Sequence, residues 1–207
     1  VVGVVVQPGV EFGDDFVFDY DREKARPLTD KLRQYPRLVF EGHSTDYQMR
    51  ENLRKMVEDG IAILKVGPAL TFGLREALLA LSDMEKELLG DRASDFPDAL
   101  KRAMADNPGN WRSHYRHALT DRALDAALIY SYLDRCRYYM PEEQVNRALK
   151  RMLKNLGDLT LPMGMISRHL PNQYRKIRQG LLKNEAVALL KDRVKDCIAD
   201  YEFASYG

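Results

Sequence analysis

Three stretches of this sequence gather ionisable and hydrogen-bonding side chains directly behind short apolar runs. Gln7-Pro8-Gly9-Val10-Glu11-Phe12-Gly13 follows Val1 to Val6, Glu41-Gly42-His43-Ser44-Thr45-Asp46 follows Leu38 to Phe40, and Lys65-Val66-Gly67-Pro68-Ala69-Leu70-Thr71 follows Ile61 to Leu64. Glu11 and Glu41 can act as metal ligands or acid/base groups, or can simply pair with Lys65 or an arginine at the same rim. His43 can bind a metal through a neutral imidazole, or be no more than a hydrogen-bonded residue of a helix-capping loop. Lys65 can hold a phosphate or form a Schiff base, and equally can be the ion-pair partner of Glu41. Gly67-Pro68 ahead of Thr71 offers amides and a helix dipole to an anion, although Gly-Pro also makes a turn for its own sake. The catalytic candidates are thus Glu11, Glu41, His43 and Lys65, with His43 the metal candidate. Ser44, Lys65, Gly67 and Thr71 are the phosphate-binding candidates.

Other chemistry-bearing residues read as structural. His114 and His117 have the i,i+3 spacing of half a metal site, but Trp111, Arg112, Tyr115 and Arg116 around them point to packing and hydrogen bonding. Arg135-Cys136-Arg137-Tyr138-Tyr139 reads as an interhelical contact. The sequence contains no Gly-x-x-x-x-Gly-Lys-Ser/Thr loop, no Gly-x-Gly-x-x-Gly and no Gly-x-Ser-x-Gly turn. A kinase activity has no motif here to rest on.

The elements that must position these residues follow from the apolar pattern. The three apolar runs are near-continuous rather than alternating, as in strands covered on both faces of a parallel sheet. Between the second and third, Met49, Leu53, Met56 and Val57 fall on one face of a helix over 47–59, with Thr45 or Asp46 as its cap and Gly60 as its stop. Strand, helix, strand implies right-handed βαβ units. Thr71 is placed to cap a helix reaching Leu89, and the remainder is helical, with periodic segments over 123–139, 142–156 and 185–205. An eight-stranded barrel takes roughly 250 residues, so three such units followed by helices suit the carboxy-terminal portion of a TIM (β/α)8 barrel. An open doubly wound sheet is the alternative. The expected organisation is a single domain, with the last barrel units over 1–90 and a helical region over 91–207. An opening on Val1 without Met suggests a chain cut within a domain of a longer protein. Such a part barrel is expected to expose an apolar sheet edge and to pair with another copy or aggregate.

The 207 residues are 45% hydrophobic and 30% charged with a net charge of +1, the composition of a globular domain. No basic stripe supports a nucleic-acid or membrane-surface partner, and no apolar run is long enough to span a bilayer. Cys136 and Cys197 lack paired spacing, which reads as two reduced thiols in a cytoplasmic protein.

The three strand-end clusters, extended to Glu41 to Gln48 and Ile63 to Phe72, resemble signatures of the GatZ/KbaZ family. Arg135 to Tyr139, Leu161-Pro162-Met163-Gly164-Met165-Ile166-Ser167 and Leu170-Pro171 resemble it too, so the resemblance spans essentially the whole chain. Family members are about twice this length. The resemblance implies a barrel subunit that is not itself the catalyst and supports the catalytic subunit of class II D-tagatose-1,6-bisphosphate aldolase. That partner cleaves the bisphosphate to glycerone phosphate and glyceraldehyde 3-phosphate in galactitol, N-acetylgalactosamine or related catabolism. Zinc is expected in the partner, since a class II aldolase holds it with several histidines at strand ends and only His43 stands at one here. The family has also carried the label tagatose-6-phosphate kinase. The alternative is an active sugar-phosphate enzyme using the strand-end cluster, with a sugar phosphate as ligand.

Overall fold

The computed structural model describes residues 3–115, 120–157 and 159–206. The chain is mixed α/β and divides into two compact units, Val1–Leu70 with Asp196–Gly207, and Thr71–Lys195. The first unit contains β1 (Gly3–Val6), β2 (Glu11–Phe12), β3 (Val17–Phe18), α1 (Arg22–Leu32), β4 (Val39–Gly42), α2 (Arg50–Glu58) and β5 (Ile63–Leu64). Strands β1, β4 and β5 form a three-stranded sheet in that order. Both pairings are parallel, and the register aligns Val6 with Gly42 and Gly42 with Leu64. These are the three apolar runs of the sequence. The short antiparallel hairpin of β2 and β3 was not foreseen from the sequence.

One face of the sheet packs onto helices. Phe40, Leu53, Met56 and Ile61 are buried with Val10, Tyr20, Ala25 and Ala204. Gly42 is required there: a Cβ on it would lie 2.8 Å from Ile61 Cγ2 and 3.2 Å from the Met56 methyl. Residues alternate faces along a strand, so Val5, Glu41 and Ile63 share the opposite face. Val5 is 57% and Ile63 43% exposed on it. A parallel sheet normally buries both faces; within the described residues of this unit the second face is open.

Helix α2 departs from the expected one. Tyr47 has a φ of +63° and stands outside the helix, which begins at Arg50 behind Met49 with no side-chain cap. Thr45 and Asp46 do not cap it, because their side chains bond across to the loop after β5. Met49 is exposed rather than part of the buried stripe, while Leu53 and Met56 are buried as expected. Gly60, at φ +92°, provides the stop.

The second unit is helical: α3 (Ala69–Leu89), α4 (Phe96–Asp106), α5 (Asp121–Tyr130), α6 (Glu143–Gly157), α7 (Met163–His169), α8 (Pro171–Arg178) and α9 (Ala186–Tyr206), with the unit boundaries falling inside α3 and α9. Leu78, Leu81, Met84, Phe96, Leu100 and Met104 are buried in its core with Tyr139, Met152 and Ile166. Helix α3 places Ala77, Leu78, Leu81 and Met84 in that core, and the first boundary between the units falls after Leu70. The helix expected over 123–139 is interrupted. It ends at Tyr130, Asp134 takes a left-handed conformation at φ +48°, and a 3-10 turn covers Arg135–Tyr139.

Asp134 explains that break. Its carboxylate lies 3.1 Å from the Arg75 guanidinium, and both side chains are almost fully buried, at 0% and 1% exposure. Thr71 donates a 2.5 Å hydrogen bond to the same carboxylate, the Cys136 thiol donates at 3.4 Å, and Phe72 stacks under the guanidinium at 4.1 Å. A buried ion pair needs such surrounding bonds to offset its desolvation. Among the described residues no helix is long and apolar enough to cross a membrane.

Candidate functional site

The parallel register brings Gln7, His43 and Lys65 into one row just beyond the ends of β1, β4 and β5. The ladder continues into this row, with the His43 amide donating to Val6 O at 2.9 Å and the Lys65 amide to Gly42 O at 3.0 Å. Strand alternation puts the row on the open face, above Val5, Glu41 and Ile63. Glu41 Oε1 is 2.8 Å from His43 Nε2, and both side chains are about one-third exposed, at 32% and 30%. A carboxylate can only accept, so Nε2 is the donor in this contact.

Glu11 is occupied differently. One oxygen accepts from the Phe12 amide at 2.9 Å and the other from the Gln7 amide nitrogen. That nitrogen also lies 3.3 Å from Ser44 Oγ. Gln7 thus ties the loop after β1 to the loop after β4. Lys65 does not pair with Glu41, which is taken by His43; among the described residues its ammonium forms no ion pair. Gly67 is present at the turn before α3, but its amide donates to both Asp46 oxygens at 2.8 and 3.0 Å, and the Ala69 amide donates to Asp46 at 2.9 Å. The helix start expected to offer amides to a phosphate is therefore capped by the protein's own carboxylate. Thr71, expected to be that cap, lies two residues inside α3 and belongs to the Asp134 cluster of the helical unit.

The loop from His43 to Gln48 is fixed from several sides. Thr45 Oγ1 donates to Lys65 O at 2.8 Å and lies 3.2 Å from the Tyr201 hydroxyl, which also donates to Thr45 O at 3.2 Å. Gln48 accepts from the Tyr20 amide and donates to Phe18 O, both at 2.8 Å. Thr45, Asp46 and Gln48 are all buried. Ser44 and Tyr47 nevertheless adopt left-handed backbone at φ +56° and +63°. Each such residue costs on the order of 1 kcal/mol and persists only where its surroundings hold it. Tyr201 is desolvated by burial, which pushes its hydroxyl well above the usual range for tyrosine.

A cavity of about 600 Å³ lies elsewhere in the same unit, against Pro8, Gly9, Phe18, Tyr20 and the start of α1. Its cations are engaged: Arg22 with Glu58 and Asp59, Lys24 with Asp21 and Lys55 with Asn52. Among the described residues no group of three or more His, Cys, Asp or Glu side chains is arranged to hold a metal. His114 is exposed, and its expected partner His117 lies outside the described residues. Arg135 and Arg137 both stack on Tyr138, at 4.5 and 4.4 Å, and donate to backbone carbonyls, Arg135 to Asn110 O and Arg137 to Leu133 O and Asp134 O.

The sequence missed the bracing of this site. Asp46 and Thr45 reach partners about twenty residues away, and Tyr201 comes from the far end of the chain, so local patterns carry no signal for either.

A three-stranded parallel sheet flanked by helices marks the chain as mixed α/β, with ionisable groups gathered at the carboxyl end of the sheet. The chain belongs to the GatZ/KbaZ-like family, described as D-tagatose-1,6-bisphosphate aldolase subunit GatZ/KbaZ-like, which matches residues 1–206. It is similar over 99% of its length to the crystal structure of a probable tagatose 6 phosphate kinase from Sinorhizobium meliloti 1021, at 39% identity and a TM-score of 0.94. The chain spans 52% of that protein, about half its length.

Proposed function

We propose that this chain is part of a non-catalytic subunit of class II D-tagatose-1,6-bisphosphate aldolase, one that supports the activity and stability of a separate catalytic subunit. The observation that carries this reading is the family match over residues 1–206. The site is compatible with it, because Glu41 with His43, Glu11 with Gln7, and Asp46 with the start of α3 bond within the protein. The pathway we assign is galactitol or N-acetylgalactosamine catabolism in the cytoplasm, with zinc residing in the partner. The fold we assign to the whole protein is a (β/α)8 barrel. The open face carrying Val5 and Ile63 supports this, since a closed barrel fills its interior with such branched side chains.

The test is co-expression of the whole natural protein with its catalytic aldolase chain. A stable complex, with higher aldolase activity or slower heat inactivation of the partner, is the expected result. No complex and no effect on the partner would end this reading.

The second reading is an active sugar-phosphate enzyme working through Glu11, Glu41, His43 and Lys65. The row of Gln7, His43 and Lys65 on an open face favours it. The whole protein assayed alone with ketose bisphosphates, with and without zinc, separates the two. Turnover lost in Glu41→Gln or His43→Ala supports this second reading, and absence of turnover under both conditions removes it.

A further inference from the structure

We infer that the β2–β3 hairpin, with the cavity beside it, is the surface through which this chain docks onto a basic, apolar-centred patch of the catalytic aldolase chain. The inference rests on the proposed supporting role for the identity of that partner. The surface itself is argued from its own residues.

The first observation is an aromatic knob. Phe16 is 46% and Phe18 58% exposed, and their ring centroids lie 4.9 Å apart. Both are held in place within the chain. The Gly13 amide donates to Phe16 O at 3.0 Å and closes the turn, a Cβ on Gly13 would overlap the Phe16 ring, and Gln48 donates to Phe18 O at 2.8 Å. Phe12, on the paired strand, turns to Tyr47 instead and meets it edge-on at 5.2 Å. Adjoining exposed aromatic rings mark contact surfaces, and rings already fixed lose little freedom on binding.

The second observation is charge. Residues 1–21 contain no Lys or Arg, while the hairpin and its flanks carry Glu11, Asp14, Asp15 and Asp19. Asp14 Oδ1 is screened from solvent with no hydrogen-bond partner, a costly state for a carboxylate that a cation from outside would relieve. Asp14 and Asp15 form no ion pair among the described residues. The cavity of about 600 Å³ adjoins the knob, with Pro8, Val17, Phe18 and Tyr20 as its apolar walls and Asp19 among its lining. Asp19 gives one oxygen to Asn52 at 3.3 Å and keeps the other. An apolar wall with a carboxylate oxygen left over suits the stem and head of a partner's Lys or Arg.

Aromatic residues ringed by charge are the make-up of an interface between separately folded proteins, with an apolar centre and a polar rim. The sign of the rim selects the partner. A two-fold pairing of hairpins would set these carboxylates against their own copies, and a nucleic acid would be repelled. A basic protein surface is what remains.

Surface plasmon resonance of the whole natural protein on the immobilised catalytic aldolase chain, at low and high salt, tests the inference. Phe16→Ser combined with Phe18→Ser is expected to weaken binding about a hundredfold. Asp14→Lys combined with Asp15→Lys is expected to slow association about tenfold and to abolish its salt dependence. Both variants should keep the wild-type melting temperature, and Leu181→Ser, at a 75% exposed position of the helical unit, should bind as wild type. Wild-type binding in both hairpin variants, or equal weakening by Leu181→Ser, would overturn the docking surface and leave the supporting role standing. Loss of self-association in the phenylalanine variant, with aldolase binding intact, would overturn it in favour of a second copy. A lowered melting temperature with intact binding would overturn it in favour of cover by the protein's own chain. No complex with the unaltered protein ends the supporting role and the docking surface together.

Discussion

Single side chains in this chain carry identifiable structural loads. Asp46 satisfies two amides at the start of α3, and removing it leaves both donors without an acceptor. Asp46→Ala is expected to cost about 1–3 kcal/mol, read as a lower urea midpoint with an unchanged slope. In the helical unit, Arg75 and Asp134 pair with both side chains almost fully buried. Arg75→Met leaves an uncompensated buried carboxylate and is expected to cost about 3–5 kcal/mol, while Arg75→Met combined with Asp134→Leu should recover much of that loss. Desolvation pushes the adjacent Cys136 thiol from 9.0 up to about 12, with the Asp134 charge adding to it. A raised folded value favours the protonated thiol, so its contribution is complete below pH 9 and is lost as pH climbs toward 12, by about 1.4 kcal/mol per unit. Cys136 should stay unreactive toward a disulfide reagent at pH 8 in the native protein and react at once in denaturant. At this scale the sequence was informative about which residues meet at the strand ends and silent about which of them bond internally. Glu41 was equally suited to Lys65 or a metal; only the folded side chains show that His43, two residues on and just beyond the end of β4, is its partner at 2.8 Å.

At the scale of elements, the parallel strands were legible because near-continuous runs of Val, Ile, Leu and Phe carry a strong signal. Gly60 as a helix stop was legible for the same kind of local reason. The β2–β3 hairpin was not, since two-residue strands have no period to read, and the break after Tyr130 was hidden because Asp134 is held left-handed by a buried partner fifty-nine positions upstream, Arg75. The cap of α3 was misplaced at Thr71 because a tertiary carboxylate, Asp46, took the position that a local side chain was expected to fill. Close approach of strand β4 to the loop before β5 explains Gly42. Gly42→Ala forces its methyl into Ile61 Cγ2 at 2.8 Å and is expected to cost about 1–3 kcal/mol by overpacking. Thermal unfolding followed by circular dichroism measures it.

At the scale of the molecule, the sheet unit alone offers an open face bearing Val5, Glu41, Ile63 and the strand-end row. The chain belongs to the GatZ/KbaZ-like family, and the half-length overlap with the Sinorhizobium meliloti structure makes the whole protein the right object for assembly experiments. The supporting role proposed here is tested most directly by the heat-inactivation rate of the catalytic aldolase chain, measured with and without the whole protein at equal concentrations. Slower inactivation that saturates near a fixed subunit ratio is the predicted result. An inactivation rate that does not change at any ratio would contradict it.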